Sequence, residues 1–116
     1  MTIKLRQLPI NYLQSFGFEA NASIFWIKAP VPERIIKVSF KKILNINLSR
    51  DILDPDCDDL QIMDISHEFR KITVNDLKDY NFIVQEIDQL PKLHLVTLHG
   101  GTIFTIICQE LEMEEV

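Results

Sequence analysis

The chain has 116 residues and a net charge of −5, and 47% of its residues are apolar, which suits one globular domain with a real core and argues against a disordered polypeptide. No window approaches the run of about eighteen apolar residues that a membrane span needs. The start, MTIKLRQLPINY, lacks the continuous apolar stretch of a signal peptide, so a cytoplasmic protein with no membrane partner is expected.

Ile3 and Leu5 alternate with Lys4 and Arg6 as a short edge strand ended before Pro9. Ile10 to Phe18 is ambiguous: Tyr12, Leu13, Phe16 and Phe18 could line one helical turn or two, and Gly17 then breaks the pattern. ASIFWIKA, 22–29, is rich in β-branched and aromatic residues and closes at the prolines of APVPE, which mark a strand and then a rigid turn. From Ile35 to Leu48 apolar and polar residues alternate almost without a break. This predicts either one long bent strand or two strands joined near Lys41-Lys42, half-buried in an antiparallel sheet.

Beyond an acidic stretch, LQIMDISHEFRKI resumes strand character but changes phase, and a bulge near Met63 would bring its apolar residues back onto one face. Thr73 to Asp76 has the logic of a capping box with Asp for Glu. Leu77, Tyr80, Val84, Ile87 and Leu90 then follow at helical spacing up to Pro91, with a strand through Tyr80, Phe82 and Val84 as the competing reading. LHLVTLHGGTIFTIICQEL reads as a hairpin turning on Gly100-Gly101, with Leu98 opposite Ile103 and Leu95 opposite Ile106. Both of its faces are apolar and need cover. Glu110 onward, with four glutamates in seven residues, is expected to leave the sheet and fray from about 112. The fold expected is α+β: a single domain with a mainly antiparallel twisted sheet of about five or six strands, a C-terminal Gly-Gly hairpin, and one main helix at about 74–90 packed on the sheet.

Charge is divided along the chain. Residues 1–50 carry eight Lys or Arg against two Glu, whereas 51–116 carry four against fifteen acids. If that polarity survives folding, the acidic half can steer a basic partner; if strands of the two halves alternate in one sheet, it will not survive.

DILDPDCDDL, 51–60, is the sharpest concentration of acid. Asp54, Asp56 and Asp58 have the spacing of the first calcium ligands of an EF-hand loop, but Asp59 stands where glycine makes the sharp turn and Ile65 where a glutamate closes the site. A solvated loop or a protein-docking surface remains, and no metal is expected. His67-Glu68 fails as a zinc-protease motif because Lys71 stands where the second histidine belongs. His94 and His99 have opposite parity, so a histidine cluster would need a long-range coincidence. Cys108 in its apolar run reads as an inert core thiol, and the aspartates beside Cys57 disfavour its thiolate; both are read as free thiols in a reducing compartment. No nucleotide-binding glycine motif is present, so no cofactor is expected and the chain is not read as an enzyme. Lys37 and Lys41 could follow a phosphate backbone, but net charge and an inward-facing Phe40 argue against nucleic acid.

The function expected is therefore a small acidic protein-binding domain. It resembles immunity proteins and antitoxins only in size and charge, and would dock on a basic nuclease-type partner through Asp51, Asp54, Asp56, Asp58, Asp59 and Asp64. The alternative is a homo-oligomeric structural or regulatory domain, such as a homodimer, with Leu98 and Ile103 at its interface. A small enzyme or a nucleic-acid binder comes after these.

Overall fold

The computed structural model describes residues 5, 8–19, 21, 23–50, 60–77 and 89–116. Six strands form one antiparallel sheet: β1 (Ser15–Glu19), β2 (Ile24–Val31), β3 (Arg34–Arg50), β4 (Ile62–Arg70), β5 (Leu93–Gly100) and β6 (Thr102–Glu115). Their order across the sheet is β1-β2-β3-β6-β5-β4.

Period-two patterning places the core. Phe25, Ile27 and Ala29 on β2, Ile36, Val38 and Phe40 on β3, Val96 and Leu98 on β5, and Phe104, Ile106 and Cys108 on β6 are buried on one face. The sheet curls around that face. Just before β1 and just before β4, at opposite ends of the strand order, the chain makes backbone bonds to itself: Leu13 N–H to Leu60 C=O and Ile62 N–H to Asn11 C=O, both 2.8 Å. The two edges are thus tied together in a barrel-like closure, and Leu5, Ile10 and Leu13 complete the core. A smaller cluster of Ile72, Leu93 and Ile107, with Leu44, Leu90 and Leu95 against it, lies outside the main core.

The β2–β3 hairpin turns on two residues, Pro32 and Glu33, between the paired Val31 and Arg34. Pro32 holds its φ negative, and Glu33 takes a φ of 71°, unusual for a residue with a side chain. β3 is the single long bent strand of the two alternatives. Lys42 has a φ of 52°, and the register slips between Ile43 and Asn45, so that Ile43 packs on the main core while Leu44 packs on the outer cluster. The bulge expected near Met63 is present, as a register shift between Ile62 and Asp64.

Four expectations need correction. The α+β fold with a main helix at about 74–90 gives way to a six-stranded antiparallel β-sheet: the longest helical element among the described residues is the four-residue 3-10 turn Val74–Leu77, and 78–88 lie outside the described residues. Apolar spacing had outweighed composition there, for Val74, Asn75 and Asp76 are all poor helix formers. The Asp76 carboxylate accepts from the Thr73 N–H, as a capping residue does, but it caps a single tight turn.

The second correction concerns residues 10–18, which supply β1 rather than a helical turn; Phe16 and Phe18 lie against Phe25 with ring centroids 6.0 and 5.0 Å apart. Leu5, expected in an edge strand, sits in a turn closed by Leu8 N–H to Leu5 C=O. Third, the C-terminal hairpin is offset by one residue, with Leu98 opposite Phe104 and Val96 opposite Ile106. That shift sends Leu93 and Leu95 to the outer cluster and Val96 and Leu98 to the core. Fourth, the chain does not leave the sheet at Glu110: β6 stays paired with β3 as far as Glu115 opposite Ile36, because alternation resumes through Leu111 and Met113.

Candidate functional site

The seam that joins the two sheet edges carries the most distinctive surface. Asn11, Tyr12, Leu13, Leu60 and Gln61 line an open groove of about 440 Å³. Tyr12 bridges to Gln61 through the backbone yet is 53% exposed, and the bulge beside it turns Met63 outward to 65% exposure. Asp64 follows, exposed and opposite His99 on β5. The acidic stretch therefore runs into a surface bearing two large exposed side chains. Asp51, Asp54, Asp56, Asp58 and Asp59 themselves lie outside the described residues, as does Cys57.

Charge is distributed differently from its order in the sequence. Lys41 pairs with Glu112 at 2.9 Å, Lys42 with Glu110 at 2.9 Å and Lys37 with Glu19 at 3.2 Å. The pairing of basic β3 with the acidic end of β6 raises the Lys41 pKa, chiefly through its hydrogen bond with Glu112, and lowers that of Glu110 through Lys42. Lys28 and Lys37 stand over the Trp26 ring at 5.4 and 5.7 Å. A second groove of about 440 Å³, lined by Ser23, Ile24, Lys41, Lys42, Ile43 and Glu110, is thus walled by paired charges.

The histidines supply the coincidence that local spacing could not reveal. His67 is buried on β4; its Nδ1 accepts the Leu5 N–H at 2.9 Å, and its Nε2 lies 2.9 Å from Nδ1 of His94 on β5. The sequence signal was present in the parity of His67, Phe69 and His94, but it becomes readable only with the β4–β5 register, which sets Phe69 opposite His94. His94 has its pKa lowered by burial. Among the described residues, no group of three or more His, Cys, Asp or Glu is placed to hold a metal ion.

The residues expected at an oligomer interface do not meet. Leu98 is fully buried in the main core opposite Phe104, while Ile103 is half-buried opposite Ser49. Cys108 is a buried free thiol whose pKa burial pushes up to about 12. No helix among the described residues is long and apolar enough to cross a membrane.

No protein-family model matches the chain, and no curated protein matches it. The fold class, a curled six-stranded antiparallel sheet, rests on the strand pairing alone.

Proposed function

We propose that this chain is a small acidic protein-binding domain that docks on a basic protein, in the manner of an immunity protein or antitoxin on a nuclease. The observation that carries this reading is where the negative charge lies. Positions 51–69 hold seven Asp or Glu and no Lys or Arg, so the ten acids elsewhere are outnumbered by the twelve Lys and Arg of the chain. Pairing of Lys41 with Glu112 and of Lys42 with Glu110 across β3 and β6 supports the same point, since it offsets basic charge of β3 within the sheet. Asp51, Asp54, Asp56, Asp58, Asp59 and Asp64 speed the encounter and set orientation, while the exposed Tyr12 and Met63 act as the apolar anchors. A reducing cytoplasm suits the free thiol of Cys108.

The test is affinity capture with the intact protein, identification of the captured partner, and binding kinetics for two variants. Replacing Asp54, Asp56, Asp58 and Asp59 together with asparagine is expected to slow association at least about tenfold at low salt and to flatten its salt dependence. Tyr12→Ala is expected to speed dissociation. Unchanged kinetics in both variants would overturn the reading.

A further inference from the structure

Leu5, Ile10 and Leu13, on the amino-terminal side of β1, belong to the core. The segment that carries them is held at its C-terminal end by the backbone bonds to Leu60 and Ile62. At its other end the Leu5 amide is held by a side chain, the imidazole of His67, which is 2% exposed. We propose that the His67–His94 pair is a pH-sensitive latch, which holds the amino-terminal segment on β4 while both rings are neutral and releases it when His94 takes a proton.

Hydrogen-bond direction makes the latch all-or-none. Because His67 Nδ1 accepts from Leu5 N–H, it carries no proton, and a neutral His67 must carry its proton on Nε2. That proton is donated to His94 Nδ1, which must also be bare. A proton added at His67 Nδ1 would point at the Leu5 N–H, and one added at His94 Nδ1 would point at the His67 Nε2–H. Neither cation fits without breaking a bond of the chain from Leu5 to His94.

The surroundings of His94 give a cation little help. From β4 it faces His67 and the Phe69 ring, 4.5 Å away between centroids, and from β6 it faces Cys108, whose thiol stays protonated across the physiological range. The described end of the amino-terminal segment contributes the Leu5 amide. Burial is what lowers the His94 pKa, with no carboxylate contributing, so the folded state binds a proton less readily than the unfolded chain. The stability that neutral His94 contributes is accordingly complete above its ordinary value of 6.5 and is lost as pH falls below it. Release would bare the core positions filled by Leu5 and Ile10.

Amide hydrogen exchange of the intact protein between pH 7.5 and 5, corrected for intrinsic rates, tests the latch. Protection at Leu5 and Ile10 is expected to fall by up to about thirtyfold, the limit for one histidine returning to its ordinary pKa, while amides in the β3–β6 pairing keep theirs. His94→Asn retains an oxygen acceptor near the Nδ1 position but takes no proton, and is expected to flatten the pH dependence. Protection at Leu5 that is independent of pH in the unmodified protein, or equally pH-dependent in the variant, would overturn the proposal. If the variant does not fold, imidazole nitrogen shifts of the unmodified protein decide. A neutral His67 protonated at Nε2, with ring protonation coinciding with loss of the Leu5 amide bond, supports the latch; a neutral His67 protonated at Nδ1 sinks it.

Discussion

Arg70 clasps Asp76 with two nearly parallel bonds, Nη1 to Oδ2 at 2.9 Å and Nη2 to Oδ1 at 2.8 Å, at the point where β4 gives way to the 3-10 turn. The same carboxylate accepts the Thr73 N–H and hydroxyl, so one acid ties the strand end to the turn that follows. Arg70, with Thr73 behind it, holds the Asp76 pKa well below the ordinary carboxylate value of 3.8. The stabilisation is therefore complete above about pH 4 and is lost as pH falls below that value. Asp76→Asn should lower stability by about 1–2 kcal/mol at pH 7, a figure kept small because Arg70 is 41% exposed and solvent weakens the pair. Denaturant melts at pH 7 and pH 3 check this: the difference between the two proteins should shrink in acid.

Gly100 and Gly17 are expected to respond very differently to a methyl group. A β-carbon on Gly100 would stand 1.7 Å from the Gln61 carbonyl oxygen, which is backbone and cannot step aside, so Gly100→Ala should cost at least about 2 kcal/mol. On Gly17 the nearest atom is the edge of the Trp26 ring at 3.0 Å, which can tilt away. Gly17→Ala should therefore change stability by less than about 1 kcal/mol while shifting the Trp26 fluorescence, and urea titrations followed by that fluorescence measure both.

Glu33 has a side chain but holds a φ of 71° at the second position of its hairpin turn, where glycine is preferred. Relief of that conformation should let Glu33→Gly stabilise the protein by about 0.5–1 kcal/mol, seen as a melting temperature raised by a few degrees. A lowered melting temperature would show that the carboxylate does more than occupy the turn.

Cys108 should be inert in the folded protein. In a Cys57→Ser background, thiol reagents at pH 8 should react only after denaturant is added, because burial leaves almost no thiolate. The raised pKa also sets an alkaline limit. Its contribution is complete below the ordinary thiol value of 9.0 and is lost as pH rises from there towards about 12, with a slope approaching 1.4 kcal/mol per pH unit.

Local pattern revealed much of the sheet. The alternation around Phe25 and Phe40, the turn at Pro32 and the phase change at Met63 are each legible locally, since each depends on neighbours a few residues away, although β2 runs through Pro30 to Val31 rather than ending at Ala29. The glycine pair does turn the hairpin, but not through a left-handed backbone. None of the three glycines has a positive φ, and Gly100 is required by the close approach of Gln61, which is 39 positions distant and invisible to local reading. The one-residue offset of the hairpin is likewise a matter of register that the turn residues alone do not set. Of the candidate site, Asp64 is legible as an acid on a strand, whereas the seam that sets Tyr12 opposite Gln61, two residues before Met63, is a long-range contact that no local pattern shows.

By itself the sequence determined the strand-forming segments of β2, β3, β4 and the C-terminal hairpin, the inward set of apolar residues on β2 and β3, and a charge concentrated at 51–69, because these depend on residue type and short-range periodicity. Tertiary structure alone decided that β3 and β6 lie together and neutralise each other's charges, that the two sheet edges meet before β1 and β4, and that His67 touches His94. Those are contacts between residues far apart in the chain, and they are selected by the joint burial of the core and by strand register rather than by any local preference.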